Sequence, residues 1–485
     1  HLIRQDRWRQ WLPPGAMAEN KPSEFVEDLA WNIARVRAGL VWDTLGLDGS
    51  GVTVAVMDTG VDWQHPALRA QYRGYKPGGL VIHQGNWACT TAEGYLYPVD
   101  GHGHGTHVAG IAVGQRDGDG RAIGVAPGAS WVAVKMLNDA GYGYDSWIHA
   151  AFQWLMAPAG DPTLAPDIVN GSWGSADSRD EVFRADMQAL RAAGIVPVFA
   201  SGNEGPNVAS VESPGSYPEA FTVGATDDLD KVTSFSSRGP SPWDEIKPEV
   251  VAPGAQIWSS LPGGTYGAYN GTSMATPHVA GLVALLFEAD PALTVAEIED
   301  LIASTARPIG ERTPNDTAGW GLADAYGATA VALDAGYVAG QARRQTDQQP
   351  LPAARVIVFN AQDEQQALVE ADAAGRYQVA LRPGPYRLRF EAFGHSPQVV
   401  DDVRVQGSLT TTVDATLSAL PAGVLWGTVR NIKTGGPVGA TISIVGTPAQ
   451  ATADPQTGHY SLALPAGTYT LQVAVNGYRG YSVPG

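Results

Sequence analysis

Two hydrophobic patterns divide the chain. Up to about Leu333, short apolar runs rich in Val, Ile and Ala take turns with longer segments whose apolar residues recur at helical spacing. Val52–Val56, Trp131–Met136, Ile168–Asn170, Ile195–Ala200 and Phe221–Ala225 read as strands buried on both faces. The segments near Val108–Val113, Asp145–Met156, Glu181–Ala193 and Ser273–Glu288 read as helices. Strand and helix in turn predict an α/β fold, a parallel sheet with helices on both faces. Ahead of it, His1–Pro14 is basic and tryptophan-rich, and Asn20–Val36 predicts an amphipathic helix with Phe25, Leu29, Ile33 and Val36 on one side. Beyond Leu333 the helical period disappears, and short alternating strands between Gly and Pro turns predict β-sandwiches.

That last region repeats. Gly375-Arg-Tyr377-Gln-Val379 returns as Gly458-His-Tyr460-Ser-Leu462, and Pro383-Gly384-Pro-Tyr386 as Ala466-Gly467-Thr-Tyr469, which predicts two tandem small domains. The division expected is an extension over 1–30, an α/β domain over 31–333, one sandwich over 334–420 and a second over 421–485 that stops before a counterpart of Val403–Leu417 and so reads as truncated. Tyr377, Tyr386, Tyr460 and Tyr469 alternate with Leu and Val, which favours core packing over a stacking surface for sugars.

Three glycine-flanked segments carry the chemistry. Asp58 in VAVMDTGVD ends a buried run, His104 in DGHGHGTHVAG follows a Gly-rich loop into an apolar stretch, and Ser273 in NGTSMATPHVAG opens a long helix with Pro277 in its first turn. A serine hydroxyl is a weak nucleophile until an imidazole takes its proton and a carboxylate orients that imidazole. A fourth segment, Ser201-Gly202-Asn203-Glu204-Gly205, ends the run Ile195–Ala200 and offers the Asn203 amide to a developing oxyanion. Taken singly, an Asp after a strand or a His before a helix is more often a cap or a satisfied core residue. Four such segments, each at a strand end or a helix start, point together to acyl transfer.

The order Asp, His, Ser is that of subtilisin. With SFSSRGPS at Ser234–Ser241, the segments resemble the subtilisin-type serine peptidases over about Trp31–Leu333, and DTGVDWQHPALRAQYRGY, PDIVNGSWG and SPWDEIKPEVVAPG look most similar to bacillopeptidase F-like enzymes. The resemblance implies a secreted endopeptidase with Asp58, His104 and Ser273 as triad, Asn203 as oxyanion donor, and polypeptides as substrates. His107 and His278 then read as structural. Ser172-Trp173-Gly174 follows a strand and is free to pair with an extended substrate; with Ala200 and Gly202 it lines the primary specificity pocket by that resemblance. Ser213-Pro-Gly-Ser-Tyr-Pro218 resembles the stretch bordering the floor of the subtilisin pocket; by that resemblance Glu212 lies at the pocket base and Glu204, next to Asn203, at its rim, or Glu212 points to solvent if the loop Pro206–Val211 shifts the alignment. The family's propeptide makes residues 1–30 either a remnant of one or a structural extension, and both sandwiches resemble carboxypeptidase regulatory-like domains.

Composition narrows the rest. A net charge of −18 argues against nucleic acid or anionic membrane as partner, and no apolar run is long enough to span a bilayer. Cys89 is the single cysteine, which excludes an internal disulfide and reads as a packing residue. The chain starts at His1 without a signal peptide, so secretion or a cell-surface location rests on the resemblance, as does contact of the tail domains with surface or matrix. No cofactor is required for the chemistry. A calcium site is not assignable: Ala67 stands where many relatives have an acidic ligand, and Asp117-Gly-Asp119-Gly reads as an ordinary acidic turn. The competing function is a vestigial protease serving as a cell-surface binding or adhesion protein; an esterase is the third.

Overall fold

The computed structural model describes residues 5–12, 25–26, 28–310, 312–475 and 481–483. Its contacts fall into two units, His1–Asp334 and Ala335–Gly485.

The first unit is built on seven parallel strands: β1 (Thr53–Asp58), β2 (Trp87–Cys89), β3 (Ser130–Lys135), β4 (Ile168–Gly171), β5 (Val196–Ala200), β6 (Phe221–Thr226) and β7 (Val250–Pro253). They are arranged β7-β6-β5-β4-β1-β3-β2. The helices are α1 (His104–Val113), α2 (Asp145–Met156), α3 (Arg184–Ala192), α4 (Thr272–Ala289), α5 (Val295–Thr305) and α6 (Ala325–Ala332). On one face Ala55 and Met57 of β1, Val132 and Val134 of β3 and Val169 of β4 meet Ile148, Phe152 and Leu155 of α2 and Met187 and Leu190 of α3. The period-two pattern of each strand sends its other residues to the far side. There α1 and α4, which contribute nothing to that cluster, pack against each other and against β1.

Strand order reverses between β1 and β4, because after β1 the chain adds β2 and β3 on one side and then crosses to β4 on the other. In open parallel sheets the crevice for a ligand lies at the carboxyl ends of the strands where this reversal occurs. Asp58 ends β1 and Ser172 follows β4 directly.

Several elements differ from the sequence expectation. Among the described residues of 20–36 the expected amphipathic helix is not formed: helix covers only Trp31–Arg35, and Leu29–Ala30 is a short strand. Ala30 N–H donates to Ala122 O at 3.1 Å and Ala122 N–H to Asp28 O at 2.9 Å, so pairing with a distant loop overrides the helical spacing. Residues 20–24 and 27 of that expected helix lie outside the described residues. Ile33 and Val36 are buried as the spacing requires. Pro277 is the sixth residue of α4 and lies beyond the first turn. Its missing N–H leaves the Ser273 carbonyl, four residues back, without an intrahelical donor. Strands β2 and β7, helices α5 and α6, and an antiparallel hairpin of β8 (Ile257–Leu261) and β9 (Thr265–Tyr269) had no counterpart in the sequence reading.

In the second unit, Gly336–Arg344 pairs antiparallel with Arg376–Leu381 and parallel with Thr410–Thr412 and Ala415–Leu417. A second sheet joins Gln365–Glu370, Arg355–Phe359, Gly384–Glu391 and Gln398–Val405. Val338, Val356, Tyr377, Leu388 and Phe390 fill the core between them. Tyr377 is buried with its hydroxyl donating to Val413 O at 2.6 Å, a packing role and not an exposed stacking surface. The later strands Ala422–Thr428, Thr441–Ile444, His459–Pro465 and Leu471–Ala474 follow the same alternating pattern.

Candidate active site

Asp58, His104 and Ser273 are brought to the carboxyl end of the sheet by three separate elements. His104 is the first residue of α1, and Gly105 behind it lets the helix start approach β1. A Cβ on Gly105 would lie 2.0 Å from Gly60 O and 3.1 Å from Asp58 Cβ. That approach puts His104 Nδ1–H at 2.8 Å from Asp58 Oδ1 and 3.0 Å from Oδ2. The Thr59 N–H donates to Asp58 Oδ1 at 2.7 Å and holds the carboxylate in place. Asp58 is fully buried and His104 nearly so. Burial disfavours the imidazolium, but the charge and hydrogen bond of Asp58 and the charge of Asp100 outweigh it, and the His104 pKa lies above 6.5.

Asp100, which the sequence reading passed over, frames this corner. One of its oxygens accepts from Thr59 Oγ1, His102 N and Gly103 N at 2.9, 3.1 and 2.8 Å, and the other from Thr106 N and Oγ1 at 2.9 and 2.7 Å. The Gly103 and Thr106 N–H groups are donors of the α1 start, so a buried carboxylate does the work of a cap. Its place six residues before Thr106 in DGHGHGT was the available signal.

Ser273, the second residue of α4, sits against Ser172. Ser172 Oγ donates to Ser273 O at 2.9 Å, taking the carbonyl that Pro277 leaves free, and Ser273 Oγ donates to Ser172 O at 3.0 Å. Asn170 Nδ2 donates to Ser172 Oγ at 2.9 Å, so a buried chain of polar groups fixes the α4 start to the end of β4. Among the described residues no hydrogen bond joins Ser273 Oγ to His104; the hydroxyl rests on Ser172 O. As second residue of its helix, Ser273 has an N–H with no intrahelical acceptor.

Asn203 lies beside it. Its Oδ1 accepts from Thr272 N at 2.9 Å and Thr272 Oγ1 at 3.2 Å, which leaves the NH2 end of the amide as the free donor. The Asn203 backbone N–H donates to Glu212 Oε1 at 2.9 Å. Glu212 does not point to solvent: a Cβ on Gly202, whose φ is +100°, would lie 2.4 Å from Glu212 Cγ, and one on Gly174 2.7 Å from Oε2. The carboxyl is therefore lodged between Gly174 and Gly202, in the two segments expected to line the pocket. Burial pushes Glu212 up to about 7, against the pull of the Asn203 N–H, and the charge of exposed Glu204 adds to the rise.

The other expected residues divide. Trp173 is buried in the core against Phe183 and Phe199. Gly174 is not free to pair as expected, because its N–H already donates to Trp11 O at 3.3 Å. His107 stacks on Tyr269 and contacts Gly267 O, and His278 contacts Met274 O and Asn32; burial lowers them to about 3 and about 4, so both are neutral structural groups. The Asp117 turn does not suit a cation: Asp117 Oδ1 accepts from Asp119 N and Arg121 N at 3.0 Å, and Arg121 pairs with both carboxylates. Cys89 contacts Thr91 Oγ1 at 3.1 Å on β2.

The subtilase family profile matches residues 49–321, and the carboxypeptidase regulatory-like domain profile matches 338–418. The chain belongs to the subtilase family of serine endopeptidases. It is 43% identical over 351 residues to Bacillopeptidase F of Bacillus subtilis, an alignment covering 68% of this chain and 24% of that protein. It is 37% identical over 289 residues to Subtilisin E of the same organism, covering 59% and 68%. With Subtilisin Savinase of Lederbergia lenta it is 36% identical over 304 residues, 63% of this chain and 100% of the relative. The chain thus spans about a quarter of the length of Bacillopeptidase F.

Proposed function

We propose that the protein is a secreted endopeptidase that cleaves polypeptides through an acyl-enzyme on Ser273. The observation that carries this is the buried contact of His104 Nδ1 with both oxygens of Asp58 at the switch point of the sheet. It fixes the tautomer in which Nε2 is the free base, and it stabilises the imidazolium once formed. On substrate binding the Ser273 hydroxyl turns from Ser172 O to His104 Nε2, gives up its proton there and attacks the scissile carbonyl. The oxyanion accepts from the Asn203 amide and the Ser273 N–H, an arrangement in which one donor is worth about 100- to 1000-fold. His104 then protonates the leaving amine, and water clears the acyl-enzyme. Glu212 at the pocket base selects Arg or Lys before the scissile bond. No helix among the described residues is long and apolar enough to cross a membrane, and the family resemblance supports secretion, with the tail domains as spacers or attachment modules.

The test is hydrolysis of casein and of matched peptide amide and ester substrates by the parent and Ser273→Ala. Loss of far more than about 100-fold on every substrate is expected. Residual casein hydrolysis within that factor would sink the assignment, and an ester-only activity would leave an esterase.

A further inference from the structure

The turn that offers the Asn203 amide is clasped by one residue from a distant part of its loop. Glu212 N–H donates to Ser201 O at 2.9 Å, and Asn203 N–H donates back to Glu212 Oε1 at 2.9 Å, so Glu212 brackets Ser201-Gly202-Asn203 with its backbone and its side chain together. Among the described residues the Asn203 N–H has no other acceptor. Gly202 makes the clasp possible. Its φ is +100°, and a Cβ there would lie 2.4 Å from Glu212 Cγ and Cδ and 2.5 Å from Oε1, so only glycine lets the carboxyl close over the turn. The side chain of Asn203 is held from the opposite direction, where Oδ1 accepts from Thr272 N at 2.9 Å and Thr272 Oγ1 at 3.2 Å, one position before Ser273. The two oxygens of Glu212 are not equivalent. Oε1 takes the Asn203 N–H, whereas Oε2, on the Gly174 side, accepts no hydrogen bond among the described residues.

We propose that Glu212 is a positioning residue for the oxyanion donor. Its carboxyl fixes the Asn203 backbone while Thr272 fixes the Asn203 side chain, so the amide NH2 is aimed before substrate arrives. Such a donor acts only where it is already in place as charge develops, and a misplacement of about 1 Å at a reacting centre costs about 100-fold. Oε1 does this work on every substrate, and Oε2 remains for a cationic side chain in the pocket. The inference rests on the reading of Ser273 as nucleophile and Asn203 as oxyanion donor, and it gives Glu212 a role that does not depend on the charge of the substrate.

The experiment uses the full chain and a chromogenic peptide anilide with Leu before the scissile bond, on which attraction of a cation by Glu212 is silent. Glu212→Ala leaves the Asn203 N–H without its acceptor. It is expected to lower kcat and kcat/KM together by about tenfold or more, with KM changed far less, the mark of an interaction made in the transition state. Glu212→Gln keeps an oxygen for that N–H and should recover most of the lost kcat. If Glu212→Ala does not fold, Glu212→Met, of similar length and without an oxygen, takes its place. The Asn203→Ala variant is itself expected to be about 100- to 1000-fold slower. Adding Glu212→Ala to it should cost less than about twofold more, because the donor that Glu212 aims is gone. An unchanged kcat in the folded single variant, a loss confined to KM, no recovery by Gln, or full additivity with Asn203→Ala overturns the proposal. A small phosphonate and the Asn203 variant test the premises separately: no labelling of Ser273 in the parent strikes at the nucleophile, and an Asn203→Ala variant as fast as the parent strikes at the oxyanion donor.

Discussion

Replacing Glu212 by Gln removes a charge from the proposed specificity pocket while keeping the shape of the side chain. Burial holds the Glu212 carboxyl at about 7, with the Asn203 N–H opposing the rise and Glu204 adding to it. A group titrating there is ionised in roughly one molecule in ten at pH 6 and roughly nine in ten at pH 8. Only the ionised form attracts an Arg side chain, and a hydrogen bond between charged groups is worth about 1.5–3 kcal/mol, or roughly 10- to 100-fold. The assay is kcat/KM for two chromogenic peptides that differ only in Arg or Leu before the scissile bond. That constant reports groups of the free enzyme, and taking the Arg-to-Leu ratio cancels the His104 titration common to both substrates. The parent ratio should rise about tenfold from pH 6 to pH 8, and in Glu212→Gln it should be flat and about 10- to 100-fold lower at pH 8. A ratio independent of pH in the parent, or one that the substitution leaves alone, refutes the acidic pocket.

Three other outcomes are expected. For the Leu peptide, kcat/KM should climb with pH through a midpoint above 6.5, because Asp58 and Asp100 overcome the burial that alone would lower His104; an optimum near pH 3 to 4, where carboxylate pairs act, would contradict the base assignment. Asp100→Ala strips buried acceptors from Thr59, His102, Gly103 and Thr106, and should destabilise the fold by several kcal/mol, about 1.5–3 for each bond to a charge, read from urea unfolding. A chain ending at residue 334 should keep peptide hydrolysis within about twofold of the full chain, since its core is its own; loss of folding would show that the tail supports it.

What could be read from the sequence depended on how local its cause is. The central strands announce themselves as apolar runs, and the glycines of DTG, HGT and SGN mark close approaches that a Cβ forbids, so the positions of Asp58, His104 and Asn203 at the ends of their elements were legible. The edge strands were not: Trp87–Cys89 has three residues, and Val250–Pro253 ends in a proline. Helix α5 carried a readable cue, since Thr294 and Glu297 form a reciprocal cap, and it was missed. The N-terminal helix failed because helical spacing cannot reveal that residues 28–30 pair with Ala122. Nor could local pattern show that Trp11 would pack on Trp173 and accept from Gly174 N–H, a contact between segments far apart in sequence.

The most direct measurement of the central claim is the site of phosphonate modification at pH 8, by intact mass followed by peptide mapping of the full chain. One phosphonyl group per molecule on Ser273, absent in Ser273→Ala and strongly slowed in His104→Ala, is the predicted result. No adduct, or an adduct on another serine such as Ser201 or Ser172, would contradict it.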